Sequence, residues 1–383
     1  MSQVYYHRDK GDLVDKNRLL NDKNVKVARD NTRKSRKKFW GAVSSAPGAF
    51  NRKSGTGSMA SLYTGCDDVV FRQTIAEGRG LRTVLWQRRL EREAHDPRMD
   101  ALRGDSVQAK VLRAGLRAVG IYDRGVRNVL SPVLNRIEFA SPVLPPAFDG
   151  FRILHLSDFH FPGPPGFPEA VYSLIAAPDC VHCDLCVLTG DYAFNRRADP
   201  HVVAGMVSGV LAQLSPRCGF VAIPGNNDTS TLLEMLRANG LPMLINENIE
   251  LERGGERIYV AGIDDPHEFK CASVLDAVCG IPDGAFKVLL AHSPEVAGPA
   301  AQAGADLYLC GHTHGGQICL PGRRPLFINT RCPRARAAGL WRIGPMQAYT
   351  TRGLGASTIE VRYACPPDAA VITLKCNDTR IRT

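Results

Sequence analysis

Five short motifs rich in Asp, His and Asn, four set directly behind an apolar run and the fifth following another, constrain this chain more than anything else in it. They are Asp158-Phe159-His160, Gly190-Asp191, Gly225-Asn226-Asn227-Asp228, Ala291-His292-Ser293 and Gly311-His312-Thr313-His314. The runs before them (153–156, 185–188, 220–223, 288–290 and 307–309) are short, and helical-looking stretches separate them. Continuous apolar runs of this length read as strands buried on both faces, so the pattern predicts a largely buried sheet with polar residues gathered at its strand ends.

The residue types and spacings suit metal binding. On extended backbone, positions i and i+2 point to one side, so Asp158 with His160, and His312 with His314, can each face one ion. Gly311, Gly315 and Gly316 let the chain turn tightly beside the second pair. Asp191 carries two oxygens and can bridge two cations; Asn226 offers a neutral amide oxygen and His292 a further imidazole. Carboxylate, amide and imidazole donors together fit hard or borderline divalent metals. Each motif alone is commonplace, but all five in this order at strand ends are not.

With these motifs in this order, the chain resembles the calcineurin-like metallophosphoesterase superfamily, whose pattern is Asp-x-His, Gly-Asp, Gly-Asn-His, a lone His and Gly-His-x-His. The likeness covers about 134–375. Ser157-Asp158-Phe159-His160, Leu188-Thr189-Gly190-Asp191-Tyr192 and Gly311-His312-Thr313-His314-Gly315-Gly316-Gln317 are similar to the bacterial branch often found at membranes. So is the tail, with Gly353-Leu354-Gly355, Pro366-Pro367 and Ile372-Thr373-Leu374. The resemblance implies an α/β fold, a four-layer α/β/β/α sandwich, and two divalent metal ions (Mn, Fe or Zn). It implies that Asp158, His160, Asp191 and His314 hold one ion, and Asp191, Asn226, His292 and His312 the other. Asp191, His312 and Asn227 are the expected catalytic residues. Asn227 and the arginines of the 331–352 segment (Arg331, Arg334, Arg336 and Arg342) are the expected phosphate contacts, since a guanidinium fork matches phosphate oxygens.

One departure from the family pattern matters most. Asn227 stands where members usually have His, a group that stabilises the transition state and protonates the leaving group. An amide donates hydrogen bonds but is no proton source near neutral pH. The replacement either lowers activity or redirects it to leaving groups that depart unprotonated, such as a nucleoside monophosphate leaving from a pyrophosphate. The UDP-2,3-diacylglucosamine pyrophosphatases of this superfamily, which make a lipid A precursor, also lack His there.

Charge is unevenly placed. Up to Glu138 there are 28 Lys and Arg against 15 Asp and Glu; beyond it, 20 against 23. The basic surplus therefore belongs to the N-terminal third and favours anionic surfaces. Residues 1–78, with Arg33-Lys34-Ser35-Arg36-Lys37-Lys38 and a Gly/Ser-rich stretch, read as a largely disordered basic extension, with Met59 and Met99 as further candidate starts. Residues 79–137 read as basic amphipathic helices. Val111, Leu112, Leu116 and Val119 form one stripe, and Val126, Val129, Leu130, Val133 and Leu134 another, with Arg113, Arg117, Arg124, Arg127 and Arg136 between them. Such helices either lie in a membrane interface or pack on the catalytic domain, placed at 138–383 with a lead-in strand near 136–144.

No apolar stretch is long enough for a transmembrane helix, and no secretory signal is evident. The 12 cysteines are too dilute for a disulfide scaffold, which suggests a reducing cytoplasm. Cys180, Cys183 and Cys186 have zinc-like spacing but fall where a strand begins, and are read as core; so are Cys310 and Cys319. The expected function is hydrolysis of a pyrophosphate or phosphodiester, plausibly in a nucleotide-sugar lipid such as UDP-2,3-diacylglucosamine. The expected location is the cytoplasm or the inner face of its membrane. The alternatives are a phosphodiesterase or phosphatase on soluble substrates, and a basic membrane- or nucleic-acid-binding protein with a vestigial metal site. Nucleic acid is the less favoured partner.

Overall fold

The structure is a computed structural model of the 383-residue chain, and it describes residues 69–74, 79–96, 107–322 and 324–376. In chain order the strands are β1 (Val69–Thr74), β2 (Val133–Ser141), β3 (Arg152–Leu156), β4 (Leu185–Leu188), β5 (Phe220–Ala222), β6 (Glu247–Arg253) and β7 (Glu256–Gly262). They continue with β8 (Phe286–Leu290), β9 (Leu307–Cys310), β10 (Cys319–Leu320), β11 (Arg324–Pro325), β12 (Gly339–Ile343), β13 (Met346–Thr350) and β14 (Asp368–Cys376). The helices are α1 (Arg79–Ala94), α2 (Val107–Ala118), α3 (Tyr122–Val129), α4 (Phe167–Ile175), α5 (Pro178–Val181), α6 (Pro200–Leu211), α7 (Ser230–Ala238), α8 (Val274–Ala277) and α9 (Ala297–Gln302).

Two sheets carry the fold. One has seven strands in the order β1-β6-β7-β8-β9-β13-β12, the other five in the order β2-β14-β3-β4-β5. Strands β7, β8, β9 and β13 run parallel, as do β3, β4 and β5, while β14 lies antiparallel to β3 and parallel to β2.

Side-chain alternation explains why the parallel strands are apolar throughout. Ile153, Leu185, Val187 and Val221 face a core that also takes Val288, Leu290, Leu307 and Leu309 from the other sheet. Their neighbours Leu154, Leu156, Cys186 and Leu188 turn outward under α4, α6 and α7, through Phe167, Val171, Ile175, Val203, Val207, Leu232 and Leu236. On the far side, Leu289, Tyr308 and Cys310 lie under α8 and α9 through Val274, Ala277, Ala297 and Ala300. The result is the expected α/β/β/α sandwich. The i, i+4 spacing of Phe167, Val171 and Ile175 gives α4 one apolar stripe, and Asp199 and Thr229 cap α6 and α7. Each fully buried aliphatic side chain between the sheets contributes about 1.5–3 kcal/mol.

The N-terminal elements differ from the sequence reading in three places. Within the 1–78 extension only 69–74 lies among the described residues, and it is strand β1, paired with β6. Val133, Leu134 and Arg136, read as part of a helical stripe, belong to strand β2, which starts three residues before the expected lead-in strand and runs through the 137/138 boundary. Backbone pairing with β14 outweighs the helical spacing here, because the whole length of β2 is matched residue for residue. Val129 is fully buried in the helix-side core, yet Val111, Leu112 and Val119 are exposed rather than packed. Among the described residues no helix is long and apolar enough to cross a membrane.

Candidate metal centre

Strands β3, β4, β5, β8 and β9 all end at the same edge of the sandwich, and the five motifs are the loops that leave them. Asp158, His160, Asp191, His312 and His314 all have positive φ, between 49° and 71°. Left-handed backbone is unfavourable for such residues and persists where the surroundings over-determine it, which is characteristic of functional sites. The glycines make room for it: a Cβ on Gly311 would collide with Asp158, and one on Gly225 with Asp191.

Two groups of side chains converge. Asp158, His160 and His314 place ligand atoms within 4.8 Å of one another, and so do Asp191, His292 and His312. In the first group His160 Nε2 lies 2.9 Å from His314 Nε2, and His314 Nε2 lies 3.5 Å from Asp158 Oδ1. In the second, His292 Nε2 lies 3.0 Å from Asn226 Oδ1 and 3.4 Å from Asp191 Oδ1. The other oxygen of Asp191 stands 3.5 Å from His160 Nε2, so this carboxylate faces both groups.

Protonation and tautomer suit a cation at the second group. His292 Nδ1 donates to the Thr189 carbonyl at 2.7 Å, which turns Nε2 to Asn226 and Asp191. His312 Nε2 donates to the Asn329 carbonyl at 2.8 Å, leaving Nδ1 as the free lone pair. Burial alone would lower the pKa of His292, but Asp191, Asp158 and Asp265 raise it to about 10. The pocket thus demands positive charge beside Asp191, and a divalent cation meets that demand as a proton does. Burial likewise disfavours ionised Asp158 and Asp191, yet His314 and His160 facing the one, and His292 facing the other, hold both carboxyls below their usual range.

Asn227 is pinned to the same carboxylate. Its backbone N–H donates to Asp191 Oδ1 at 2.8 Å and its Nδ2 to Oδ2 at 2.7 Å. Asp228, not singled out as a site residue in the sequence, organises both loops: its carboxylate accepts from the backbone amides of Asp191, Tyr192, Ala193 and Gly225. Burial and the nearby charge of Asp191 push its pKa up to about 6, against the pull of those amides.

Among the expected phosphate contacts, the exposed side chain of Arg331 is nearest to the groups by connectivity. Its backbone N–H bonds Glu295, and it lies two residues from Asn329, which touches His312. Arg334 and Arg336 form a 3-10 turn followed by Ala337, whose carbonyl accepts from Thr313 between the two histidines. The Arg336 guanidinium is occupied over Trp341. Arg342 is not brought to the site: it lies opposite Gln347, which pairs with Leu307 at the start of β9, the sheet end away from His312.

Three further residues went unnoticed in the sequence. His267 sets its ring 4.3 Å from that of His312, tilted at 49°, and pairs through Nδ1 with Glu295 at 3.1 Å. That hydrogen bond raises the His267 pKa, and Glu295, despite its partial burial, is lowered to about 2 by His267. Arg362, fully buried, donates to the carbonyls of Arg352 and Gly355 and sits 3.1 Å from His314 Nδ1. His267 follows β7 just as the five motifs follow their strands, so the signal was present.

The three closely spaced cysteines form no metal group. Cys180, Cys183 and Cys186 are buried in the helix-side core, and burial pushes the first two thiols up to about 11 and about 12. Cys310 and Cys319 are buried as well.

A family model for calcineurin-like phosphoesterases matches residues 151–316, the span of all five motifs. The chain is 30% identical over 241 residues to the uncharacterized metallophosphoesterase YkuE of Bacillus subtilis, covering 61% of this chain and 82% of that protein. It is 29% identical over 232 residues to the phosphodiesterase YaeI of Escherichia coli, covering 58% and 82%. It is also 29% identical over 209 residues to a transmembrane protein with metallophosphoesterase domain from Bos taurus, covering 49% and 45%. With this likeness, the sandwich and two convergent groups at its strand ends, the chain belongs to the calcineurin-like phosphoesterases, metal-dependent hydrolases of phosphoesters.

Proposed function

We propose that this chain hydrolyses a phosphodiester or pyrophosphate bond with two divalent cations, Mn, Fe or Zn. Asp158, His160, Asp191 and His314 hold one, and Asp191, Asn226, His292 and His312 the other. The observation that carries the reading is the placing of Asp191, one oxygen toward each group. Cations held there supply Lewis acidity to the phosphoryl oxygens and lower the pKa of water toward neutrality. The protein's own part is to position: Asp228 fixes the backbone of Asp191, the Asn227 amide orients its carboxylate, and Thr189 and Asn329 set the tautomers of His292 and His312. Arg331 and Arg334 are the arginines best placed to meet the substrate phosphate.

The favoured substrate is lipid-linked, presented at the inner face of the cytoplasmic membrane. What supports this is a set of exposed apolar side chains on two adjoining segments, one of which leads to Asn329 beside His312. Val111 (66% exposed) and Val119 (67%) lie on and just after α2, and Phe327 (81%) lies two residues after β11. The two parts adjoin, because Ile318 and Leu116 both pack against the cluster of Tyr122, Ile359 and Val361, while the Ile318 carbonyl accepts from Leu326. Exposed Lys110, Arg117, Arg124 and Arg324 accompany it, a mixture that suits an anionic lipid surface. The second reading is a phosphodiesterase on soluble substrates, for which the likeness to the phosphodiesterase YaeI supports the bond cleaved.

The test is a metal-supplemented assay of the full chain on bis-p-nitrophenyl phosphate and on UDP-2,3-diacylglucosamine, with sedimentation on anionic vesicles. Hydrolysis of the lipid pyrophosphate, and vesicle binding lost in Val111→Asp/Phe327→Asp, is the expected result. Turnover of the soluble ester alone without vesicle binding supports the second reading, and no turnover of either rejects both.

A further inference from the structure

Helix α1 precedes the 151–316 span that defines the family, yet it reaches the loop carrying Asn226. Arg89, near its C-terminal end, is one of the largest fully buried side chains of the described residues. Its Nη1 pairs with Asp264, its Nη2 donates to the Asp228 carbonyl at 2.5 Å, and its guanidinium lies 3.9 Å from the centre of the Phe269 ring. A second guanidinium, that of Arg196, stacks on the same ring at 4.1 Å. Arg196 uses two different nitrogens: Nε donates to the Asn226 carbonyl at 2.8 Å, and Nη1 pairs with Asp96, two residues beyond the helix. Arg92 donates to the Phe269 carbonyl, and Glu93 accepts from the Ser230 amide at 2.9 Å, where α7 begins.

These contacts converge on one object. Residues 226–230 form the loop that offers Asn226 to the second group; α1 holds it directly by the carbonyl of Asp228 and the amide of Ser230, while Arg196, paired with Asp96 just beyond the helix, holds the carbonyl of Asn226. Residues 264–269 carry His267 against His312 of the same group. The first group, Asp158, His160 and His314, receives none of these bonds. Surface ion pairs between exposed side chains would carry little weight; here Arg89 and Asp264 are both fully buried, so removing either leaves an uncompensated charge.

We propose that α1 is a latch for the second cation: through Arg89, Arg196 and Asp96 it sets the 226–228 loop, so that the affinity of the Asn226–His292 side depends on its docking. Outer partners of this kind commonly change metal affinity by ~10–100-fold. The latch acts on backbone carbonyls and makes Arg89 and Arg196 positioning residues.

The inference rests on the two-cation reading, and its test separates the two. Metal-stripped full-length protein is titrated with Mn2+ by calorimetry, bound metal is counted, and thermal midpoints are recorded. Arg196→Lys keeps positive charge opposite Asp96 but has a single head for two partners; Phe269→Leu removes the stacked ring and leaves every ion pair. In both variants the weaker of the two Mn2+ affinities, or the one lost in His292→Ala, is expected to fall ~10-fold or more with the other unchanged. Two ions in the wild type with both affinities unaltered in both variants overturns the latch and leaves the two-cation reading standing. Affinities that fall together with the thermal midpoint, as general destabilisation would cause, also overturn it. A wild type that takes up a single ion overturns both.

Discussion

Asp191 points Oδ2 at His160, 3.5 Å from its Nε2, and Oδ1 at His292, 3.4 Å from its Nε2. One carboxylate thus faces both groups. Asp191→Ala is expected to lower bound metal by more than one ion per chain and to reduce kcat/KM by at least ~10²–10³-fold, the scale of losing a group aimed at transition-state charge. Metal counting by plasma mass spectrometry beside a turnover assay checks this. A variant with two ions and near-normal turnover would show that Asp191 is no bridge.

The two groups should empty separately. His314 meets Asp158 and His160, whereas His292 meets Asn226 and Asp191. His314→Ala is therefore expected to lose the first ion and retain the second, and His292→Ala to do the reverse. Mn2+ titration of each variant reads the outcome. Equal occupancy across both variants and the wild type would remove the basis for two distinct seats.

Much of this site was legible because strand ends and ligands are local in sequence. The runs behind Asp158, Asp191, Asn226, His292 and His312 all became strands, since alternating residues of each are needed in two different apolar layers. Less legible were partners whose contribution depends on distant contacts. Arg362 gains its meaning only when the tail folds back under His314, and Arg89 only when Asp264 and Phe269 come within reach. Arg342 looked like its arginine neighbours in composition, and only the register of β12 sends it to the other end of the sheet. The apolar positions of α2 kept their helical spacing, but spacing alone did not say whether a partner covers them.

The Cys180, Cys183 and Cys186 thiols offer a test of the core reading. A thiol with its pKa pushed up to about 11 or 12 is almost wholly protonated at pH 8, and burial blocks access as well. Iodoacetamide at that pH is expected to modify exposed Cys279 and to spare these three until denaturant is added. Peptide mass spectrometry reads the sites. Rapid native labelling of all three, or zinc protection of all three, would return them to the list of metal-binding candidates.

Asn227 is the residue on which a leaving-group prediction rests. Its amide donates to Asp191 Oδ2 at 2.7 Å and its backbone N–H to Oδ1 at 2.8 Å, so it serves as a donor already engaged and carries no transferable proton. Turnover should then depend strongly on leaving-group pKa, with pyrophosphates and aryl esters cleaved far faster than alkyl phosphate esters. Asn227→His is expected to improve the alkyl substrate by up to ~10²–10⁴-fold, the range of a positioned general acid, and to leave the pyrophosphate unchanged or slower through crowding at Asp191. Comparing kcat/KM for both substrate types in both proteins separates the cases. A wild type that prefers alkyl monoesters would refute the argument and require another donor. His267 is then the residue to replace next, because its ring lies 4.3 Å from that of His312 and its bond to Glu295 favours the protonated form.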